Sequence, residues 1–170
     1  MTAVLFYIAF IVFPLGMAFA AASDLLTMTI PNRLVLALLA GFVVAAPLAG
    51  LDLTALGWHA AAGGAVLAVA FLCFAFGWIG GGDAKLAAVT ALWLGWDNAL
   101  AYIGIASVLG GILTLLILSF RAKVLPAFVI RQPWVQRLHD KRAGVPYGVA
   151  LAGAGLAVYP HTAWIKLAVL

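Results

Sequence analysis

The sequence predicts an all-α fold: a polytopic membrane helix bundle of about six transmembrane helices, forming a single domain over residues 1–170. Of its 170 residues, 67% are hydrophobic and only 8% are charged, and the mean hydropathy is +1.21. Soluble domains are about half apolar and about a quarter charged, so these few polar groups could not cover a soluble surface. Apolar runs of about 20 residues, separated by short turns, are long enough to cross a bilayer as helices.

The predicted spans follow one another with short connections. The first ends just before Asp24, and Pro31 forbids a continuous helix into the second, because the residue before proline is pushed out of the α region. Asn32 is expected to cap the second span, while Asp52 and Asp97 are expected to serve as turn or capping residues. The six spans are residues 2–22, 32–49, 56–78, 79–96, 99–120 and 145–170.

The distribution of charge predicts the orientation of this bundle. The only long polar segment, at about residues 121–144, carries six bases, and Lys85 falls on the same side of the alternating spans. The other side carries two acids and a single base, Lys166. Because basic connections stay in the cytoplasm, both termini are predicted to be non-cytoplasmic, and Asp24 and Asp83 are predicted to face the cytoplasm at one membrane level.

The basic segment at about 121–144, called the basic loop below, is open to two interpretations. It contains the bases Arg121, Lys123, Arg131, Arg137, Lys141 and Arg142. We expect these bases to set the topology and to contact anionic lipid of the bilayer. The alternative is direct contact with a substrate. No binding to nucleic acid is expected.

Two of the five acidic residues, all of which are aspartates, carry the prediction of function. Asp83 follows three glycines at the mouth of an apolar helix, where an unpaired charge is costly. Asp24 is the predicted partner. Peptide hydrolysis by two carboxyl groups needs one to take a proton from water and the other to protonate the leaving amine. Two carboxyl groups a few ångströms apart share one proton, since both cannot ionise cheaply.

The residues around Asp83 are expected to support such a site. Gly80 and Gly82 would let a substrate backbone approach closely and would let the chain turn sharply into the helix. Free N–H groups at the start of that helix would stabilise a carboxylate or a developing oxyanion. Lys85 is either an interfacial anchor or a charge that tunes the pair. The alternative is that Asp83 only caps its helix and Asp24 only ends the first.

Three motifs together resemble those of the type IV prepilin peptidases, most closely the short form that serves Flp/Tad-type pili. They are Asp24 followed by Ile30-Pro31-Asn32, the GxGD element of residues 80–83, and Pro146-Tyr147-Gly148. The resemblance implies an aspartyl endopeptidase with Asp24 and Asp83 as the catalytic pair. The residues expected to support the pair are Gly80, Gly82, Lys85, Pro31, Asn32, Pro146 and Tyr147, of which Tyr147 could equally be a packing residue.

The resemblance also implies the substrate and the location. The substrate would be a prepilin or pseudopilin with a short basic leader before an apolar N-terminal helix, cut at the cytoplasmic face of the bacterial inner membrane. No metal and no organic cofactor is implied. Longer members of the family methylate the new N-terminus with a domain that contains cysteine pairs. This chain has one cysteine, Cys73, so methylation is not implied.

Two other classes of function remain open from the residues alone. A small transporter could use Asp24 and Asp83 to relay protons or to bind a cation, although such acids usually lie near the membrane midplane. A non-enzymatic assembly subunit could use the basic loop as a contact surface, but it would leave Asp83 among glycines unexplained.

Overall fold

The computed structural model describes residues 8–165 and shows a bundle of helices. In chain order the helices are α1 (Phe13–Thr27), α2 (Asn32–Leu48), α3 (Leu53–Ala75), α4 (Gly81–Leu94), α5 (Trp96–Arg121), α6 (Ala127–Ile130), α7 (Pro133–His139) and α8 (Tyr147–Val158). A π-helical turn, Ile8–Val12, precedes α1, and a 3₁₀ turn, Tyr159–His161, follows α8. No strand occurs among the described residues, and the all-α prediction is confirmed.

Three helices within residues 8–165 are long and apolar enough to cross a membrane: Phe10–Thr27, Leu53–Ala75 and Trp96–Arg121. They confirm a helical membrane bundle. The helices in the other three predicted spans are shorter, with 17 residues in α2, 14 in α4 and 12 in α8. The beginning of the first predicted span and the end of the last one, including Lys166, lie outside the described residues.

α4 and α8 form the centre of the bundle. Buried residues lie on all faces of α4, as expected of an apolar helix that is surrounded by other helices. α8 consists mainly of alanine and glycine, whose small side chains let helix backbones approach closely. A Cβ added at Gly155 of α8 would lie 3.0 Å from Thr90 Cγ2, and one added at Gly63 of α3 would lie 3.0 Å from Leu92 Cβ. Close packing therefore replaces lipid contact around these two helices.

A cluster of aromatic rings and ring N–H groups fixes one end of α4. The aromatic cluster comprises Phe13, Phe42, His59, Trp93, Tyr159 and Trp164. Trp93 Nε1 donates to the Leu38 carbonyl at 2.9 Å, and Trp164 Nε1 donates to the Trp93 carbonyl at 2.6 Å. Since a helix rises 1.5 Å per residue, this cluster lies about 15 Å along α4 from Asp83.

The helix boundaries confirm some of the predicted turn residues and correct others. α1 ends at Thr27 and α2 begins after Pro31, as proline requires. Asp52 caps α3, with Oδ1 accepting from the Ala55 N–H at 2.7 Å. The expectation that Asp97 caps the fifth span is wrong: α5 already begins at Trp96, after Gly95 with φ +76°. A glycine in the left-handed region makes this tight α4–α5 turn without a side-chain cap.

Candidate active site

Asp24 lies in the last turn of α1, just before a left-handed residue ends the helix. Met28 has φ +55°, and its backbone N–H donates to the Asp24 carbonyl oxygen at 2.8 Å. The Asp24 side chain is buried, and its Oδ2 accepts a hydrogen bond from the Gly148 N–H at 2.7 Å. The first turn of α8 therefore fixes a carboxyl group that belongs to α1.

The connection after α1 folds back towards α4 and α8. Ser23 Oγ donates to the Thr29 carbonyl at 2.8 Å, which closes this turn and directs Ile30 into the bundle. A Cβ added at Gly82 would lie 3.3 Å from Ile30 Cβ, and one added at Gly148 would lie 2.8 Å from Ile30 Cδ1. Ile30 thus fills the space between the beginnings of α4 and α8, and both glycines are required to admit it.

Asp83 is the third residue of α4 and is partly buried. Its Oδ2 accepts a hydrogen bond from the Gly80 N–H at 3.3 Å, so Asp83 does cap its own helix. Gly80 has φ −73°, which any residue adopts, so the turn into α4 does not require a glycine at this position. Space explains the glycine instead, since a Cβ there would lie 3.0 Å from Asp83 Oδ2. The left-handed glycine of this connection is Gly77, with φ +74°.

Ile30 links the surroundings of the two carboxyl groups: it lies against Gly148, which bonds to Asp24, and against Gly82, which precedes Asp83. Asp24 comes from the last turn of α1 and Asp83 from the first turn of α4, so both lie at helix ends on the same side of the bundle. Their surroundings differ. Asp24 is enclosed and held by a backbone N–H group, whereas Asp83 faces open space. Such a pair can take a proton from water at one carboxyl and deliver a proton from the other.

A cavity of about 410 Å³ opens beside Asp83. Its walls are the 77–80 connection, Thr114 of α5, and Gly144, Val145 and Tyr147, so polar groups and apolar side chains share its surface. We call it the polar cavity. A space of this size with polar walls can hold several water molecules, since each occupies about 30 Å³ in the liquid.

Tyr147, the first residue of α8, lines the polar cavity beside Asp83. Its hydroxyl end lies against Gly110 of α5, where no larger residue would fit. Pro146 is the buried residue before α8, and its carbonyl accepts from the Val149 N–H at 3.2 Å. Tyr147 therefore has both of the roles that the sequence left open: it packs, and it borders the site.

A hydrogen bond joins the two motif segments that carry the carboxyl groups. Lys85 Nζ donates to Asn32 Oδ1 at 3.0 Å. The expectation that Asn32 caps α2 is therefore wrong: Pro31 occupies the capping position, and the Asn32 side chain is used for the contact with Lys85. Neither interpretation of Lys85 included this bond, which links the segment after Asp24 to α4.

The basic loop is folded against the site end of the bundle, and two of its bases hold it there. Arg121 at the end of α5 is buried, donating from Nε to the Leu138 carbonyl at 2.7 Å and from Nη2 to the Gly144 carbonyl at 2.8 Å. Arg137 of α7 donates to the Leu26 carbonyl of α1. Buried Arg121 cannot contact lipid. The other four bases are exposed: Lys123, Arg131, Lys141 and Arg142.

The sequence did not assign roles to three residues of this arrangement. Gly148 and Ile30 belong to the quoted motifs but were not predicted to contact Asp24 or to separate the helices. Their places directly after Tyr147 and before Pro31 were the available signal. Arg121 gave a misleading signal, because a base at the end of an apolar helix usually extends to the membrane surface.

Comparison with known proteins yields one match. The family described as the type IV leader peptidase family matches residues 11–115, a range that includes both Asp24 and Asp83 and ends before the basic loop. No curated protein and no solved structure matches the chain significantly.

Proposed function

The chain belongs to the type IV leader peptidase family, and from this we propose that it is an intramembrane aspartyl endopeptidase that removes the basic leader peptide from prepilins or pseudopilins. The observation that carries the proposal is the arrangement of Asp24 and Asp83, which come from separate helices to the same end of the bundle, where Asp83 borders the polar cavity. The cut would be made at the cytoplasmic face of the bacterial inner membrane, the side to which the basic loop assigns both carboxyl groups.

The proposed reaction uses only the two carboxyl groups and water. One carboxylate takes a proton from a water molecule in the polar cavity, and the resulting hydroxide adds to the scissile carbonyl carbon. The other, protonated carboxyl hydrogen-bonds to the carbonyl oxygen and then supplies a proton to the leaving nitrogen as the C–N bond breaks. The Gly148 N–H holds Asp24 in place throughout, so little reorganisation is required at the moment of reaction.

The position of the acids favours a peptidase over the transporter alternative. Asp24 and Asp83 both lie in terminal turns of their helices, on the side of the folded basic loop. A proton or cation path through the membrane instead places its acids near the midplane. The enclosed Asp24, already bonded to a backbone N–H, is also suited to a fixed catalytic geometry rather than to exchange with a passing ion.

The experiment that tests this function is a cleavage assay with the full-length chain in vesicles. The substrate is a prepilin-type protein with a basic leader and an apolar helix, and its size and new N-terminus are measured. Wild type is expected to cleave, while Asp24→Asn and Asp83→Asn are expected to lose cleavage by about three orders of magnitude or more. The matched control is Asp97→Asn, an exposed acid at a helix start.

Either carboxyl variant retaining the wild-type rate would refute the aspartyl pair. Proton or cation flux through wild-type vesicles, lost in Asp83→Asn and without any cleavage, would instead establish the transporter. The Asn substitutions preserve size and shape, so the amount of folded protein in the membrane can be compared directly for all four chains.

A further inference from the structure

A long groove runs along the outside of the bundle between α3 and α5 and ends at Asp83. Its volume is about 490 Å³, and its floor is formed by α4 and the beginning of α8. Apart from Asp83 and a few polar side-chain atoms, the groove is apolar. It is separate from the polar cavity, but the two share Ile79, Asp83 and Tyr147. Asp83 therefore stands where an apolar compartment and a polar compartment meet.

Each wall of the groove is one continuous face of a helix. On α3 the lining residues are Ala62, Ala65, Val66, Val69, Ala70 and Cys73. On α5 they are Trp96, Ala99, Leu100, Ile103, Ala106 and Ser107. Both sets follow the spacing of three and four residues that places side chains on a single helix face. Each wall spans twelve residues, and eleven rises of 1.5 Å make it about 16 Å long, or three helical turns.

The residue sizes on these walls favour a helix as the occupant. Six of the twelve wall residues are alanine or serine, and small residues let a second helix backbone approach closely inside a membrane. The groove is also open on its outer side. Val69 is 63% exposed and Leu100 is 87% exposed, so a segment already in the bilayer could enter sideways.

We propose that the α3–α5 groove binds the apolar helix of the substrate, as a fourth membrane helix laid against α3, α4 and α5, with the scissile bond held at Asp83. The polar cavity receives the residues on the leader side of that bond. This inference rests on the proposed function, because it takes Asp83 as a reacting group.

The geometry explains how the enzyme would choose its bond. A helix inserted along three turns of groove cannot slide freely, since its polar flank cannot enter the apolar compartment and its apolar flank cannot enter the polar cavity without cost. The polar–apolar boundary of the substrate is thereby fixed at the residue shared by both compartments. Selectivity comes from this boundary rather than from a side-chain pocket.

The first test uses tryptophans placed in and beside the groove. Ala65→Trp and Ser107→Trp fill the two walls, whereas Ala68→Trp and Val108→Trp place the same side chain on the same helices outside the groove. All four positions are exposed in the bundle, so the protein core is untouched. The groove variants are expected to lower kcat/KM by roughly tenfold or more, mainly through KM, while the two controls stay near wild type.

The second test uses Cys73, the single cysteine of the chain, which lies in the wall of the groove. The probe is a synthetic peptide with a basic leader, an apolar helix of about 20 residues and one cysteine moved along that helix. The peptide is oxidised in vesicles together with the Asp83→Asn chain. Its cysteine is expected to form a disulfide with Cys73 only at peptide positions that are three or four residues apart. In the control, the cysteine of the protein is moved out of the groove to an exposed position by combining Cys73→Ser with Ala68→Cys. This change is expected to abolish the periodic cross-links.

The outcomes separate this inference from the proposed function. If wild type cleaves the substrate and both groove tryptophan variants cleave it at the wild-type rate, the groove proposal is overturned and the proposed peptidase function is retained. Periodic cross-links to Cys73 without any cleavage would support the groove and remove the peptidase. A cross-link between two copies of the chain through Cys73 would show that a second copy covers the groove, and peptide cross-links without periodicity would show that no helix is held there; either result would overturn the proposal.

Discussion

The two ends of α4 are built on different principles. At its C-terminal end, Trp93 contacts several rings, donates one hydrogen bond and accepts another from Trp164. At its N-terminal end, Asp83 has one long hydrogen bond, three glycines before it and cavities on two sides. The aromatic end is filled and fully bonded, and the carboxyl end is open.

This difference separates the end of α4 that holds the helix in the bundle from the end that borders the proposed site. α4 is anchored about 15 Å from the site, so the residues near Asp83 need not supply the packing that holds the helix in place. Around the open end, α7 and two arginines of the basic loop bond instead to α1 and to the segment before α8. The following predictions distinguish the contribution of each end, beginning with the largest effect on cleavage.

Gly148→Ala is expected to lower kcat by about a hundredfold, because small displacements of a catalytic group have effects of this size. The added Cβ would lie 2.8 Å from Asp24 Oδ2 and 2.8 Å from Ile30 Cδ1, so the carboxyl group must move. The matched control is Gly153→Ala on the same helix, where the nearest atom would be Leu109 Cδ1 at 3.4 Å. Equal rates for the two alanine variants would contradict the positioning role of Gly148.

Arg121→Ala is expected to lower cleavage by roughly tenfold. It removes two charge-assisted hydrogen bonds, to the Leu138 and Gly144 carbonyls, each worth about 1.5–3 kcal/mol, and so releases the segment that leads into Tyr147. Arg121→Lys is expected to restore part of the rate, since lysine can keep one of the bonds. Limited proteolysis of the basic loop is expected to be fastest in Arg121→Ala, intermediate in Arg121→Lys and slowest in wild type.

The control for this variant is Arg131→Ala, which removes an equal charge from an exposed position of the basic loop. If both variants reduced cleavage equally, the loop would act through its net charge, as lipid contact or direct substrate contact would require. An effect confined to Arg121 identifies the fold of the loop as the cause.

Trp93→Phe separates stability from activity at the other end. The lost Nε1 hydrogen bond to the Leu38 carbonyl is expected to destabilise the bundle by about 1–2 kcal/mol and to lower the apparent melting temperature in detergent. Cleavage per folded molecule is expected to stay within about twofold of wild type, because the site lies at the opposite end of α4. Trp78→Phe, at an exposed tryptophan, is the control for melting. A large loss of kcat would show that the ends are coupled.

Lys85→Met is expected to have the smallest effect among the variants near the site, about threefold or less on cleavage. Its hydrogen bond to Asn32 Oδ1 is exposed, and exposed bonds contribute about 1 kcal/mol or less. Asn32→Ala is expected to match it, and the double variant is expected to be no worse than either single one. Additive losses would mean that Lys85 acts on the carboxyl groups rather than through Asn32.

The sequence predicted the course of the chain well because the connections carry residues with strict backbone rules. Pro31 separates α1 from α2, Asp52 caps α3, and the apolar lengths between them leave little choice. The sequence was a poorer guide where a single glycine sets the start of a helix, as Gly95 does for α5. It was also a poorer guide to the lengths of α4 and α8, which are surrounded by other helices rather than by lipid. α8 ends at Val158 because the following 3₁₀ turn contains Pro160, which has no N–H to continue the helix.

The candidate site was predictable in its acids but not in its contacts. An aspartate in an apolar sequence is costly enough to be noticed, so Asp24 and Asp83 could be paired from membrane level alone. The hydrogen bond from Gly148 depends on how α8 crosses α1, which no local pattern encodes. The same holds for buried Arg121, whose partners are backbone carbonyls and leave no trace in side-chain composition.

The hydrogen bond from Gly148 to Asp24 also orders events during biosynthesis. Both aspartates precede α8 in the chain, and the N–H group that fixes Asp24 belongs to α8, the last α-helix among the described residues. A partly inserted chain therefore holds two acids without a formed site. If the pair is catalytic, hydrolysis requires that α8 has entered the bundle, which would keep newly made apolar helices inserting nearby from meeting a half-assembled protease.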